Sequence, residues 1–252
     1  MRPGEKAGPG HQIALYLTAE HPCSYLVGPR ARTLFVDPLA RLDTRAYQAL
    51  VDQGFRRSGS HVYRPACQGC AQCVPVRIPV QAFQPDRSQR RNWARNAARL
   101  RLVDAPAAFD PAHFALYLRY LASRHPDGSM AEDTSAESYR RFLVEPWGGE
   151  THFLELRLAD RLAGVAVTDR LMRGLSAVYT FFDPDLADLA PGTFAVLAQI
   201  QIAKGLGLPY LYLGYWIGAC RKMAYKDRFR PIEAWDGQGW RRFERGQDLS
   251  FT

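Results

Sequence analysis

The sequence has no uncharged run long enough to cross a bilayer. The longest, Gly205 to Cys220, is interrupted by several glycines and Pro209 and falls short of the roughly 20 apolar residues a membrane helix needs. The apolar run from Ile13 to Leu17 soon meets Glu20 and is too short for a signal-peptide core, so a cytoplasmic protein with no membrane partner is expected. Cysteine is scarce and odd in number, five in 252 residues, which argues against a disulfide scaffold. Lysine is scarce as well. The net charge of +8 is carried mainly by arginine, and such a surplus suggests an anionic partner such as nucleic acid. With 47% hydrophobic residues the chain can bury a proper core, as one large domain or two modest ones.

What the chain does have is a Cys-rich turn, Cys67-Gln-Gly-Cys70-Ala-Gln-Cys73, running into Val-Pro-Val-Arg77-Ile-Pro-Val80 and then an Arg-rich segment. Thiols three positions apart can converge on one point, as zinc knuckles and iron–sulfur loops require. Cys23, framed by Pro22, is the expected fourth donor. Zinc and an iron–sulfur cluster both fit this set, and so does a group of buried, reduced thiols. The Cys-Pro that closes a ferredoxin-type run is missing.

In chain order, residues 1–10 are rich in Gly, Pro and Lys and are expected to lack fixed structure. Thr33–Val36 reads as a strand. Asp43 or Thr44 caps a helix that ends at Gly54, and Phe55–Tyr63 reads as a hairpin turned at Ser58-Gly59-Ser60. Val74 to Val80 alternates, but Pro75 and Pro79 predict an edge strand or loop. Asp86 caps a helix to about Leu100, on which Arg87, Arg91, Arg95 and Arg99 share one face. A relaxed stretch at Asp104 to Pro111 predicts the domain boundary. Helices follow from Asp110 to His125 and from Thr134 to before Pro146, with an exposed loop over Pro126–Asp133.

Three strand-like runs (His152–Leu158, Leu162–Thr168, Leu175–Phe182) with short turns predict an antiparallel meander. A helix at Thr193–Lys204, a strand at Tyr210–Leu213, a helix at Cys220–Phe229 and a strand at Ile232–Trp235 complete the order. The fold class predicted is α+β: an acetyltransferase-like (GNAT-type) C-terminal domain, residues 106–252, behind a smaller Cys-containing N-terminal α+β domain, residues 1–105. In that architecture a Gly-rich helix N-terminus cradles coenzyme A pyrophosphate. Here the place reads Asp188-Leu-Ala-Pro-Gly192-Thr193, a poor cradle, so no coenzyme A is expected. Asp169, Asp183 and Tyr179 close or line strands beside the expected cleft, where a group orienting an amine would sit.

Cys23-Ser-Tyr-Leu, Tyr63 to Arg77, Ser88-Gln-Arg-Arg91, Ser176 to Pro184, and Leu213-Gly-Tyr-Trp216 through Lys226 together resemble the aminoacyl-tRNA–protein transferases of the arginyltransferase-like family. Within it they are most similar to the bacterial branch that modifies aspartate and glutamate N-termini with leucine. The resemblance implies transfer of leucine, less readily arginine, from aminoacyl-tRNA to proteins with an acidic N-terminal residue, in the N-end rule degradation pathway. It implies Tyr179, Asp183 and Tyr215 as groups that position or deprotonate the amine. Arg77, Arg90 and Arg91 are then expected to bind the acidic side chain, because guanidinium groups grip carboxylates in bidentate fashion. Lys222 and Lys226 are expected at the tRNA acceptor end, and Arg87, Arg95 and Arg99 on its backbone. Some eukaryotic relatives hold an iron–sulfur cluster through N-terminal cysteines of different spacing, set against Cys23, Cys67, Cys70 and Cys73 here. The competing readings are a non-catalytic zinc-knuckle RNA-binding protein and, more weakly, an unusual coenzyme A acetyltransferase.

Overall fold

A computed structural model describes residues 13–124 and 133–250. The expectations for residues 1–10 and for nearly all of the loop after Pro126 lie outside these residues. The chain opens with β1 (Leu15–Leu17), β2 (His21–Pro22), β3 (Arg30–Ala31), β4 (Thr33–Val36), α1 (Thr44–Asp52), β5 (Arg56–Ser58) and β6 (His61–Pro65). Asp43 caps α1, its carboxylate accepting from the Ala46 amide at 2.7 Å. The hairpin forms at the expected place: Ser58 pairs with His61, and Gly59 turns the chain at φ +59°. A side chain is barred there, since a Cβ would lie 2.3 Å from the Arg141 carbonyl oxygen. These strands make a small sheet in the order β1-β4-β6-β5, with α1 packed beside it through Tyr47, Leu50 and Val51.

After the cysteines come β7 (Val74–Pro79), α2 (Arg87–Ala97), β8 (Leu100–Pro106), α3 (Pro111–Arg124) and α4 (Ala136–Tyr139), which runs into a π-helical turn through Val144. The meander β9 (Glu150–Leu158), β10 (Arg161–Arg170) and β11 (Gly174–Phe182) follows as expected. A 3₁₀ turn (Pro184–Leu189), α5 (Pro191–Gly205) and β12 (Tyr210–Trp216) come next. Then α6 (Arg221–Ala224) passes into a second 3₁₀ turn (Tyr225–Arg228), and β13 (Ile232–Trp235) and β14 (Trp240–Phe243) end the order. Nothing in the sequence reading anticipated β14. Among the described residues no helix is long and apolar enough to cross a membrane.

Eight strands form one sheet, in the order β14-β13-β7-β12-β11-β10-β9-β8. Two expectations are corrected by it. The first concerns β7, which is central despite its prolines: it pairs with β12 along its length, while its ladder to β13 occupies only Val76 and Arg77, between Pro75 and Pro79. That short second ladder leaves room for the missing donors. The second concerns the domain boundary. Because β7 and β8 both belong to the large sheet, a cut at residue 105/106 would divide a single layer, and the small lobe ends near β6.

One face of the large sheet is covered by α5, with Val196, Leu197 and Ile200 packed on Val76, Ile78 and Leu211. A helix that is apolar nearly all round has to be buried on both sides, and α2 covers the outer side of α5, Trp93 meeting Phe194 at 5.3 Å between ring centroids. The inner face of α2 is nonetheless polar. Asn92 and Asn96 both donate to the Leu189 carbonyl, at 2.9 and 2.8 Å, so amides rather than apolar groups dock this helix. The opposite face of the sheet is shared. Leu116, Tyr117 and Leu121 of α3 pack on Phe153, Val165 and Phe181, while the small lobe packs on Leu171 and Tyr212.

Candidate active site

The opening in the sheet lies between β11 and β12. These strands run parallel, but they pair only at Gly174–Tyr210, Leu175–Leu211 and Ser176–Tyr212. Beyond Ser176, β11 stays with β10 and β12 stays with β7, so the two part. Gly214 helps drive the separation. It sits at φ +72°, and the β7–β12 register shifts between Tyr212 and Gly214. Since α5 runs back from the end of β11 to the start of β12, its N-terminus stands at the opened end.

Arg56, at the start of β5, forms one wall. Its guanidinium carbon lies 5.7 Å from the Tyr215 ring centroid and 6.0 Å from that of Tyr63. Tyr25 and Tyr47 also stand within its field, and burial pushes the phenols of Tyr25, Tyr47 and Tyr215 well above their ordinary values, so these neighbours are neutral. Tyr120, Tyr179 and Phe182 form the other wall, with ring centroids 6.3 Å apart for Tyr120–Tyr179 and 5.0 Å for Tyr120–Phe182. Tyr225 lies within electrostatic reach of both Tyr120 and Arg56.

The three expected amine-handling groups separate. Tyr179 stays on the cleft wall, its buried hydroxyl without a partner among the described residues; burial, with Tyr120 and Tyr117 adding to it, keeps the phenol protonated, so it is a donor and not a base. The expectation for Asp183 is corrected. Burial pushes its carboxyl up, but hydrogen bonds from Arg161, the Asp185 amide and Arg119 outweigh this and hold it below the usual carboxylate range. With Arg119 at 2.8 Å and Arg161 at 2.9 Å it is a fully engaged anion, as is Asp169, which Arg57 grips at 2.5 and 2.6 Å. Tyr215 is corrected too: its one proton is shared between the Gly54 and Tyr63 carbonyls at 3.0 and 3.2 Å, which fixes the ring beneath Arg56.

The expected acceptor-binding arginines are not brought together. Arg77 is buried on the small-lobe face of the sheet, bound to Glu233 at 2.7 Å and Asp52 at 3.4 Å and sandwiched by Tyr210 and Trp240. With two carboxylates already neutralising it and two rings covering it, Arg77 is built into the lobe contact, which corrects the expectation that it binds a substrate carboxylate. Arg90 and Arg91 stand exposed on α2, on the far side of the sheet, with the tRNA set Arg87 and Arg95. Arg99 falls past the helix end, in the turn before β8. Lys222 is exposed as a tRNA contact requires. Lys226 is not: it is buried, with its ammonium on the Tyr215 carbonyl and 3.6 Å from the Met223 sulfur. Burial, aided by the Arg56 charge, holds its pKa well below that of an ordinary lysine.

Cys23, Cys67 and Cys70 stand close enough to Cys73 to raise its pKa, and Cys220, which the sequence reading left out, joins them; burial is the larger cause, and together they push the Cys73 thiol up to about 12. The Cys23 and Cys67 sulfurs accept from the Tyr25 and Arg32 amides, both at 3.5 Å. Among the described residues no three His, Cys, Asp or Glu side chains stand in a metal-holding constellation. The donor chemistry suits a soft cation, which would reverse the protonation that burial imposes.

Sequence reasoning missed Arg56. The signal was present in Phe55-Arg56-Arg57-Ser58: successive strand residues point to opposite faces, so two adjacent arginines cannot serve one partner.

Comparison with known proteins extends over both lobes. The family profile described as "Arginine-tRNA-protein transferase, N terminus" matches residues 21–91, and its C-terminal counterpart matches residues 112–236. A Hahella chejuensis protein named aspartate/glutamate leucyltransferase is 49% identical over 231 residues, 90% of this chain and 96% of that one. Proteins of the same name from Chromohalobacter salexigens (49%, covering 91% and 93%) and Chromobacterium violaceum (45%, covering 96% and 98%) are similar along their lengths. A solved DUF2156 C-terminal domain from Agrobacterium fabrum aligns at 13% identity and a TM-score of 0.40, over 70% of this chain and 53% of its own. Matches that run from the cysteine-bearing lobe through the opened sheet, at nearly half identity, leave one conclusion: the chain belongs to the arginine-tRNA-protein transferase family.

Proposed function

We propose that this chain transfers leucine from leucyl-tRNA to the α-amino group of proteins beginning with Asp or Glu, tagging them for degradation by the N-end rule. The carrying observation is the parting of β11 from β12 beside α5, with a cationic, aromatic lining and, among the described residues, no unpaired carboxylate. The sheet then serves as a GNAT-type acyl-transfer core. Its antiparallel meander, helix and parallel strand agree with that architecture.

An aminoacyl ester is already activated. The acceptor's neutral amine attacks the ester carbonyl, the bond to the terminal ribose oxygen breaks, and the amine proton passes to that oxygen; no enzyme-bound acyl group is needed. The protein's part is to hold amine and ester together and to stabilise the oxyanion, for which the Gly192 amide at the α5 N-terminus and the Tyr179 hydroxyl are the donors at hand. Lys222 faces outward for the tRNA acceptor end, and a tRNA co-substrate sets the reaction in the cytoplasm. Incubation with radiolabelled leucyl-tRNA and a peptide starting with Asp should label the peptide, and arginyl-tRNA should label it far less. Retention of tRNA without transfer would instead identify a non-catalytic RNA-binding protein.

Cys23, Cys67, Cys70 and Cys73 are the proposed ligands of zinc or an iron–sulfur cluster, a structural element beside Tyr215 and Lys226. Anaerobically purified protein should carry close to one metal centre per chain, by metal analysis and visible absorbance. Protein purified free of metal, with unchanged melting on adding zinc or iron and sulfide, would remove that assignment.

A further inference from the structure

Most buried arginines of this chain have an anion or a carbonyl. Arg57 has Asp169, and Arg77 has Glu233 and Asp52. Arg56, half-buried, has none: among the described residues no hydrogen bond or ion pair reaches it, and the Tyr63 and Tyr215 rings lie nearest its guanidinium carbon. Space is nevertheless kept for it. Gly214 faces its Nη1, where a Cβ would come within 3.1 Å, and Tyr215 is pinned by two backbone carbonyls. A buried amine, Lys226, lies within its field. A guanidinium with no carboxylate against it among the described residues destabilises the free protein, and an arriving anion relieves it and favours the charged form of Lys226.

We infer that Arg56, held between Tyr63 and Tyr215 and backed by Lys226, is the receptor for the side-chain carboxylate of the acceptor's first residue. A planar guanidinium grips a carboxylate in bidentate geometry and rejects the matching amide, whose NH₂ group offers it a donor. The surroundings favour this anion over a tRNA phosphate. Arg56 lines a narrow cavity of about 20 Å³ with Tyr47, Ser176, Gly214 and Tyr215, roughly one water's worth of room. It admits the tip of a carboxylate but not a phosphate flanked by two riboses. The cavity also adjoins Ser176 and Gly214, where β11 and β12 part, so a side chain bound there leaves its own α-amine at the opening.

The identity of the carboxylate rests on the transfer reading, so binding is measured separately from transfer. Fluorescent peptides beginning with Asp, Glu or Asn are titrated onto tRNA-free wild type, Arg56→Gln and Arg56→Lys, and leucyl-tRNA affinity is measured in parallel. Wild type should prefer Asp and Glu to Asn. Arg56→Gln should bind Asp and Glu peptides at least about tenfold more weakly, the scale of one charge-assisted hydrogen bond, with Asn peptides and leucyl-tRNA unchanged. Arg56→Lys should fall between. An intact Asp preference in Arg56→Gln overturns the inference, as does lost tRNA affinity with peptide binding preserved, which would make this a phosphate site. If both variants fail to fold, the guanidinium is structural and the inference also falls. Peptide binding that follows the charge at position 56 without any leucine transfer would sustain the receptor and sink the transferase reading alone.

Discussion

Replacing Arg57 with alanine is expected to lower the unfolding free energy by about 3–5 kcal/mol, the cost of leaving one member of a buried ion pair alone. Arg57 and Asp169 are 1% and 0% exposed at their side chains and meet through two bonds of 2.6 and 2.5 Å. Two further guanidinium protons go to the Gly59 carbonyl and the Thr151 hydroxyl, Thr151 donates to Asp169 at 2.7 Å, and Trp147 donates to Thr151 at 2.9 Å. The pair joins β5 of the small lobe to β10 of the large sheet. Asp169→Ala should therefore cost as much, whereas Arg57→Met with Asp169→Leu should cost much less, since no charge is then stranded. Urea unfolding of the three variants decides it. A loss below about 1 kcal/mol for Arg57→Ala would mean that the lobe is fastened elsewhere. The consequence reaches the cleft, because the strand that Arg57 fixes also carries Arg56 on its other face.

Much of the architecture was legible because it follows local rules. The meander showed as apolar runs divided by short turns, α2 as Asp86 in the N-cap position before its arginine stripe, and the β5–β6 hairpin as Ser-Gly-Ser between alternating segments. What escaped depended on partners far along the chain. The two prolines of β7 argue for an edge when strand chemistry is read alone, yet β12 and β13 arrive more than 130 residues later and enclose it. The same distance effect misassigned the arginines. Sequence shows that Arg77 is a lone charge in an apolar strand, which fits a ligand contact and a buried ion pair equally well, and only Glu233 and Asp52 decide between them. Asp183 was misread for the same reason, its guanidinium partners lying at residues 119 and 161. Arg56 is the converse: an arginine that looks ordinary until the fold supplies phenols and, among the described residues, no carboxylate.

That sorting of arginines leaves the outer face of α2 as a place where a row of positive charge meets solvent. Arg87 and Arg91 have no ion pair or hydrogen bond among the described side chains, and Arg95 gives one bond of 2.8 Å to the Asp188 carbonyl, which leaves its charge intact. Like charges four residues apart on a helix repel, and no ion pair among the described residues offsets them, whereas a phosphate backbone would. Each phosphate contact steepens the salt dependence of binding by roughly 0.7–0.9, so at 0.15 M salt it is worth about fivefold over 1 M. Changing Arg87, Arg91 and Arg95 together to glutamine should therefore weaken leucyl-tRNA binding by about two orders of magnitude and flatten the slope of log affinity against log salt by about 2–3. The fold should survive, since α2 is docked by Gln89, Asn92, Trp93 and Asn96 on its other side, and relief of repulsion favours the helix slightly. Acceptor peptide binding, measured without tRNA, should be untouched, because Arg56 lies across the sheet. A salt slope equal to that of the wild type would mean that tRNA approaches from another side and that this stripe is only a solvated face.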